Sequence, residues 1–320
     1  MAVKVSYLIV DITLVLLQLV VITCNGFILY LFIRQKNLRQ NSSWLLVLFL
    51  MVTDFLHAVA TLPYTVYLLK SWNPVSLDLS PYYVFIASTP LIIQLKINLT
   101  LTISIAVERI LALSFPVMFR NLPFRSCAVI CLLFGLLLAA VDLILEFSLS
   151  SFNRAPNCAS IGCFLCDNFR YYWGISNMVM GIIVIILTTL ILLSLRAIQR
   201  KPQAPGVVRS GENRIKQVVQ SVSIDGKANR TTAGVLLISM VFVTLPSIGA
   251  GLVEMIGFSV FKAVGSFYIF GLLCAGAFNG VIFLVLNKEI RITARKYITC
   301  KVHSHTITVS NPRIFSIVRR

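Results

Sequence analysis

The chain has 320 residues, of which 58% are hydrophobic and only 12% are charged, and its formal net charge is +17. A soluble domain is nearer half apolar and a quarter charged, so this composition excludes a disordered chain and indicates an integral membrane protein. We attribute the positive charge to membrane topology and to anionic lipid of the inner leaflet, and not to nucleic-acid binding, because the basic residues are divided among short loops.

Seven apolar blocks follow one another along the chain, and each is long enough to cross the hydrocarbon core of a membrane as a helix. A transmembrane β-barrel would instead show alternating segments of about ten residues. We therefore predict an all-α bundle of seven transmembrane helices in one domain over residues 1–299, followed by a tail over residues 300–320. The predicted spans cover about residues 8–33, 44–69, 84–113, 127–149, 173–195, 232–256 and 265–287.

Lysine and arginine are distributed unevenly between the two ends of the predicted spans. Twenty-one of them lie in the loops and the terminal segment of one side, and five lie on the side of the N-terminus. Because positively charged loops tend to stay in the cytoplasm, we expect the N-terminus outside the cell and the C-terminus inside.

The second span contains Asp54 near the middle of the membrane, where an isolated carboxylate is usually neutral or paired. Asn98 of the third span and Asn279 of the seventh lie at comparable depth. We expect these three residues to form a polar cluster that links three helices. The cluster could serve packing alone, but intramembrane acids are usually functional, so we favour a role in coupling the two sides of the membrane, with a sodium ion or a proton held near Asp54.

The third span ends in an adjacent acid and arginine, Glu108 and Arg109, at its predicted cytoplasmic mouth. Adjacent helical residues point about 100° apart, so the carboxylate can restrain the guanidinium only from the side. Protonation of the acid would release the arginine to another partner, which is what a switch requires. The alternative is an ordinary interfacial anchor.

Further charges are expected inside the outer half of the bundle. Lys96 lies thirteen residues before Arg109, about 20 Å further outward. Asp142 and Glu146 are four residues apart in the fourth span and therefore share a face. Lys96 and Asp142 could join two helices or bind an anionic ligand, and we expect structural pairing because buried charges are normally paired.

The segment after the seventh span is predicted to form a short amphipathic helix over about residues 288–299 on the inner membrane surface. Its apolar residues stand at i, i+4, i+7 and i+8, and they are Ile290, Ala294, Tyr297 and Ile298. Cys300 follows directly and could be palmitoylated or remain a free cytosolic thiol.

Four motifs, in this order along the chain, resemble those of the rhodopsin-like G-protein-coupled receptors. They are "LFLMVTDFLHAVATLP" with Leu50, Asp54 and Pro63, "ERILALSFPVMF" with Glu108, Arg109 and Pro116, "VFVTLPS" with Pro246, and "NGVIF" with Asn279. The sequence departs from the family pattern at Ile110, where the family has an aromatic residue. It departs again at Gly280 and Phe283, which replace the proline and tyrosine of the family's Asn-Pro-x-x-Tyr motif.

Three longer stretches resemble most nearly the nematode serpentine chemoreceptors of class BC, or Srbc. They are "RILALSFPVMFR", "FVTLPSIGAGLVEMIGF" and "LLCAGAFNGVIFLVLNKEIR". The resemblance implies a plasma-membrane receptor, in the cilia of chemosensory neurons, that binds a small environmental molecule and activates a heterotrimeric G protein. Glu108, Arg109 and Pro116 would then form the G-protein switch, with Asp225 near the inner end of the sixth helix as a second restraint on Arg109.

Three cysteines lie in the second outer loop, Cys158, Cys163 and Cys166. Because three is an odd number, at most one disulfide forms within the loop, and the sequence does not choose which. Many rhodopsin-like receptors tie this loop to the third helix, but no cysteine lies between Cys24 and Cys127, so that tie is impossible here.

The outer half of the bundle is the predicted ligand pocket, because such sites are mostly apolar and aromatic with few polar groups. The candidate lining residues are Tyr64, Tyr67, Tyr82, Gln94, Lys96 and Tyr268. Each of these side chains could instead serve only to pack the helices together.

Two other classes of function agree less well with the sequence than a receptor does. A membrane transporter or ligand-gated channel would need a polar path through the bundle, and the intramembrane charges are too sparse for one. An enzyme is not expected, since the chain has three histidines, two of them in the tail, and no serine nucleophile motif. We expect no cofactor and no metal other than a sodium ion near Asp54.

Overall fold

The structure is a computed structural model, and it describes a large part of the chain. The described residues are 2–35, 44–73, 78–115, 119, 123–150, 158, 161–200, 230–257, 267–287 and 290–296. Helices and the turns between them make up these residues, and no strand occurs among them.

Seven helices within these ranges are long and apolar enough to cross a membrane, which confirms the predicted all-α seven-span architecture. They are α1 (Ala2–Arg34), α2 (Leu45–Lys70), α3 (Pro81–Ser114), α4 (Phe124–Leu149), α5 (Asp167–Arg200), α6 (Arg230–Met255) and α7 (Phe267–Leu286). Several of them extend beyond the apolar blocks, because polar residues at a helix end can continue the backbone hydrogen bonds outside the hydrocarbon. We call the end at which α1 begins the N-terminal end of the bundle, and the opposite end the Arg109 end.

The third helix lies in the centre of the bundle. It contacts α2, α4, α5, α6 and α7, and 72% of its most apolar stretch is buried, the largest share among the seven helices. A buried apolar cluster surrounds it at each end. The cluster at the N-terminal end includes Tyr64, Phe85 and Trp173, and the one at the Arg109 end includes Leu50 and Phe283. Polar side chains on α3 are therefore held between packed helices on all sides.

The second helix is interrupted at Thr61, two residues before Pro63. Proline has no N–H, so the carbonyl of Val59 loses the donor that a regular helix would supply. The hydroxyl of Thr61 donates to the carbonyl of His57 at 2.7 Å, and Gln18 of α1 donates to the same hydroxyl at 3.0 Å. The interruption is thus bonded to the neighbouring helix and stays compatible with the membrane interior.

The sixth helix contains a π-helical segment, Met240–Thr244, just before Pro246. Pro246 cannot donate to the carbonyl of Phe242, four residues earlier. That carbonyl lies against Gly271 of α7, so closely that a Cβ atom at Gly271 would overlap it. A residue without a side chain at position 271 therefore allows α6 and α7 to approach each other at the proline.

Replacing Gly271 with alanine is expected to lower the free energy of unfolding by about 1 to 3 kcal/mol, because the new Cβ forces α6 and α7 apart. Thermal unfolding of the detergent-solubilised protein measures the loss. Gly249→Ala on α6 is the matched control, since a Cβ there meets nothing within 4 Å. Equal stability of the two variants would show that the backbone contact at Gly271 is not tight.

Residues 290–296, after α7, are helical. Ile290 and Ala294 are buried in the cluster at the Arg109 end, as their shared position in the predicted apolar stripe requires. The location of this segment on the inner membrane surface stays a prediction. The rest of the predicted 288–299 helix, Cys300 and the tail lie outside the described residues.

Candidate functional site

Asp54 is buried in the middle of the bundle and is bonded to two other helices. Gln94 of α3 donates to Asp54 Oδ1 at 2.8 Å, and Asn279 of α7 donates to Oδ2 at 3.4 Å. All three side chains are almost fully buried. The carboxyl group of α2 is therefore the point at which α2, α3 and α7 are joined by polar contacts.

Asn98, which the sequence predicts beside Asp54 and Asn279, connects α3 to the sixth helix. Its Oδ1 accepts a hydrogen bond from Ser239 of α6 at 3.4 Å, and Ser239 also lies 3.0 Å from the hydroxyl of Thr102. Asn98 stands one helical turn from Gln94, on the same face of α3. Gln94 of α3 is thus bonded to Asp54 of α2, to which Asn279 of α7 is also bonded, and Asn98 of α3 is bonded to Ser239 of α6. We call these five residues, together with Thr102, the polar centre.

Asn25, which is not among the residues predicted from the sequence, joins the first helix to the seventh. This amide is fully buried and donates to the carbonyl of Gly276 at 3.2 Å. A Cβ at Gly280 would lie 2.8 Å from Asn25 Oδ1, so the glycine that replaces the family's proline makes room for the amide. An asparagine within an apolar span was the signal that could have identified it.

Glu108 and Arg109 lie side by side at the far end of α3. Arg109 Nη2 donates to Glu108 Oε1 at 3.2 Å, and the two side chains are only 10% and 5% exposed. The carboxylate thus holds the guanidinium from the side, as the angle between adjacent helical residues predicts. Pro116 and Asp225, the other predicted members of the switch, lie outside the described residues.

Lys96 and Asp142 form the predicted pair between α3 and α4. Lys96 Nζ lies 3.1 Å from Asp142 Oδ2, and it donates to Ser176 at 2.9 Å and to Asn177 at 3.0 Å, both on α5. Tyr172 of α5 donates to Asp142 Oδ1 at 3.1 Å. The charge of Lys96 is therefore already compensated by Asp142, and two of its N–H groups are bonded within the bundle, which favours structural pairing over the binding of an anionic ligand.

Glu146, one turn from Asp142 on α4, is fully buried. Neither of its carboxyl oxygens makes a hydrogen bond with any of the described residues. A buried carboxylate without donors is very unfavourable, which favours the neutral carboxylic acid at this position.

The structure brings some of the predicted pocket residues together and not others. Tyr64 and Tyr268 are buried in the cluster at the N-terminal end, and the ring of Tyr268 lies 5.3 Å from that of Trp173. Tyr67 packs at the edge of this cluster and accepts a hydrogen bond from the backbone of Ser80 at 3.0 Å. Tyr82, in contrast, is 61% exposed and does not share the interior. Gln94 belongs to the polar centre instead of an open pocket wall.

Residues 161–166, which precede α5, insert into the N-terminal end of the bundle. Cys158 and Cys163 form a disulfide, and Cys166 is a free thiol. Phe164 and Leu165, which follow the short 3₁₀ helix Ile161–Cys163, are buried in the same cluster as Trp173. Among the pairings that the sequence allows, the structure contains the one between Cys158 and Cys163.

Arg170 of α5 attaches this segment to the helices. It is buried, and its guanidinium donates to the carbonyls of Gly162 and Leu165, each at 3.0 Å. It also forms an ion pair with Asp167 and lies 3.9 Å from Glu254 of α6. Arg170 is one of the five basic residues that the sequence places on the side of the N-terminus, and no pattern in the sequence indicates these contacts.

Replacing Arg170 with alanine is expected to open this segment locally, because hydrogen bonds to a charged group contribute about 1.5 to 3 kcal/mol. The amides of Phe164 and Leu165, which donate to Ile161, should exchange with deuterium at least tenfold faster. Arg170→Lys keeps the charge but not the planar fork of donors, and an intermediate effect is expected. Unchanged exchange in the alanine variant would contradict the role assigned to Arg170.

Among the described residues, no group of three or more His, Cys, Asp or Glu side chains is placed to hold a metal ion. The arrangement is instead a set of polar contacts that connects α1, α2, α3, α6 and α7. It lies between an aromatic cluster at one end and a restrained arginine at the other.

The chain was compared with known protein families. Residues 3–286 match the sequence model of a family described as "Serpentine type 7TM GPCR chemoreceptor Srbc". No curated protein matches the sequence.

Proposed function

The chain belongs to the Srbc family of serpentine seven-transmembrane chemoreceptors, and from this membership we propose that it binds a small environmental molecule and activates a heterotrimeric G protein. The ligand site is the N-terminal end of the bundle, around Tyr64 and Tyr268. The G-protein site is the Arg109 end. The N-terminus faces the outside of the cell, and the membrane is the plasma membrane of a chemosensory neuron, in its cilia.

The observation that supports this proposal most is the polar centre. Asp54 is bonded to Gln94 and Asn279, and Asn98 is bonded to Ser239, so α3 carries two buried hydrogen-bonded groups, one turn apart, that together join four helices. Buried groups of this kind have few alternative partners, and a movement of one helix requires the others to rearrange. A ligand that binds one arrangement more tightly shifts the equilibrium toward it.

The polar centre also contains oxygen atoms of the kind that coordinate a sodium ion. Asp54 supplies a carboxylate, and Asn98, Thr102 and Ser239 supply neutral oxygens, which are the ligands that hard cations prefer. Both carboxylate oxygens accept hydrogen bonds from amides, so a cation would compete with those contacts. Sodium near Asp54 is a part of this proposal, and its role would be to stabilise one arrangement of the helices.

The test is to express the full chain with a promiscuous G protein and to screen volatile and water-soluble odorants for intracellular calcium signals. Epitope tags at the two termini are read in intact and permeabilised cells. The proposal requires a ligand-dependent signal, with the N-terminal tag accessible in intact cells and the C-terminal tag accessible only after permeabilisation. A ligand-evoked current without G protein would favour a channel, and two tags on the same side would exclude the proposed orientation.

A further inference from the structure

His57 on α2 has an acceptor atom for which the described part of the chain supplies no donor. Its side chain is 3% exposed, and Nδ1 lies 3.3 Å from the carbonyl oxygen of Pro90 on α3. A carbonyl oxygen can only accept a hydrogen bond, so the hydrogen of the imidazole is on Nδ1.

The position of that hydrogen determines the chemistry of the other ring nitrogen. In a neutral imidazole with a hydrogen on Nδ1, the nitrogen Nε2 carries a lone pair and can only accept. Nε2 is buried and makes no hydrogen bond with the described residues. A charged imidazolium is unfavourable here, since no described carboxylate forms an ion pair with the ring and a buried charge is costly without one.

The location of His57 places this acceptor beside the proposed ligand region. His57 is one turn from Asp54 along α2, toward the N-terminal end. Its sequence neighbour Ala58, and Leu91 beside Pro90, both belong to the buried apolar cluster that also contains Tyr64 and Tyr268. His57 therefore stands on α2 between Asp54 of the polar centre and residues of an apolar and aromatic cluster.

We propose that His57 Nε2 is the hydrogen-bond anchor of the ligand, and that the ligand is an uncharged small molecule with a hydroxyl group on an otherwise apolar body. This inference rests on the proposed function, because it names the ligand class of the same receptor. The hydroxyl donates to Nε2, and the apolar body packs in the cluster at the N-terminal end.

Charged ligands fit this location less well than an alcohol does. A carboxylate cannot donate to Nε2, and the charge of Lys96 is already paired with Asp142, while Ser176 and Asn177 accept hydrogen bonds from it. An ammonium group would require a free carboxylate next to His57. Both oxygens of Asp54, the nearest acid along α2, already accept hydrogen bonds.

The first test measures binding without a G protein. The full chain is labelled with ¹⁵N-histidine in lipid nanodiscs. It has three histidines, and the spectrum of His57→Asn identifies the resonances of His57 by subtraction. We expect one protonated and one unprotonated ring nitrogen. Aliphatic alcohols of four to ten carbons should shift the unprotonated one, whereas their methyl ethers, which have no donor, should not.

Three results of this experiment would overturn the inference. They are a ring with both nitrogens protonated, an Nε2 resonance that no alcohol changes, and equal shifts with alcohols and ethers. A water molecule that fills the position permanently would give the second of these results.

The second test uses two variants, each of which replaces one of the two ring nitrogens of the imidazole. In His57→Asn the amide nitrogen replaces Nδ1 and keeps the bond to Pro90, but the acceptor is lost. In His57→Gln the longer side chain returns an acceptor near the position of Nε2. We expect the alcohol concentration for half-maximal signalling to rise about tenfold to a hundredfold in the asparagine variant, as an unmade buried hydrogen bond predicts, and only a few-fold in the glutamine variant.

Surface delivery of both variants is measured with the N-terminal tag, and equal losses at equal delivery would contradict the role of Nε2. The two tests also separate this inference from the proposed function. Alcohol binding at His57 without any signal would refute the G-protein receptor and leave the site intact. Signalling by other ligands, with the His57 resonances unchanged, would refute the hydroxyl site alone.

Discussion

Replacing Lys96 with methionine is expected to cost about 3 to 5 kcal/mol of the free energy of unfolding. The substitution removes the ammonium group that lies 3.1 Å from Asp142 and leaves a buried carboxylate that keeps the hydroxyl of Tyr172 as a hydrogen-bond partner. Glu146, one turn away on the same helix, carries no positive charge that could replace the ammonium group. Thermal unfolding in detergent and the fraction of protein delivered to the cell surface both measure the loss.

Two variants make this experiment specific. In Lys96→Met combined with Asp142→Leu no uncompensated charge remains, so most of the stability should return, since a buried ion pair contributes little beyond an apolar pair of similar volume. Glu146→Gln is the matched control, because the described residues make no hydrogen bond to this carboxyl group and the amide has nearly the same shape. A double variant as unstable as the single one would show that Ser176 and Asn177 carry the interaction.

Replacing Arg109 with alanine is expected to reduce ligand-evoked G-protein signalling at least a hundredfold while the protein still reaches the cell surface. The guanidinium is the charged group at the end of α3 that the proposed mechanism presents to the G protein. Glu108 holds it at 3.2 Å in the buried pair. The measurement compares signals at equal surface density of the N-terminal tag.

Glu108→Gln gives the opposite expectation and serves as the control for general damage at this end of the bundle. The amide keeps the shape of the acid but loses its charge, so the restraint on Arg109 is weaker and signalling without ligand should rise a few-fold. If both variants signalled like the unmodified receptor, the pair would be an interfacial anchor and not a switch.

The number and nature of the helices follow from the sequence, because an apolar stretch of about 20 residues can satisfy its backbone hydrogen bonds in lipid only as a helix. The pairing of Lys96 with Asp142 was predictable for a similar reason. The interior of a membrane makes an unpaired charge costly, and few opposite charges are available to it. The side-by-side contact of Glu108 with Arg109 follows from helix geometry alone.

Other contacts of the site depend on how far each helix is translated and rotated against its neighbours, which a sequence pattern does not specify. Gln94 and Asn98 stand four residues apart on one face of α3, and only the translation and rotation of α3 against α2 place Gln94 at 2.8 Å from Asp54. The sequence likewise did not decide which two loop cysteines form the disulfide, because the pairing depends on the tertiary arrangement of the segment that contains Phe164 and Leu165.

The sequence by itself therefore determined the helices and which charged residues require a partner, since both follow from the free-energy cost of exposing polar groups to lipid. The tertiary structure alone decided which partner each polar group takes, including the Nδ1 contact of His57 with Pro90. Hydrogen bonds form over a few tenths of an ångström and in narrow directions, whereas helical periodicity specifies only the face on which a side chain lies.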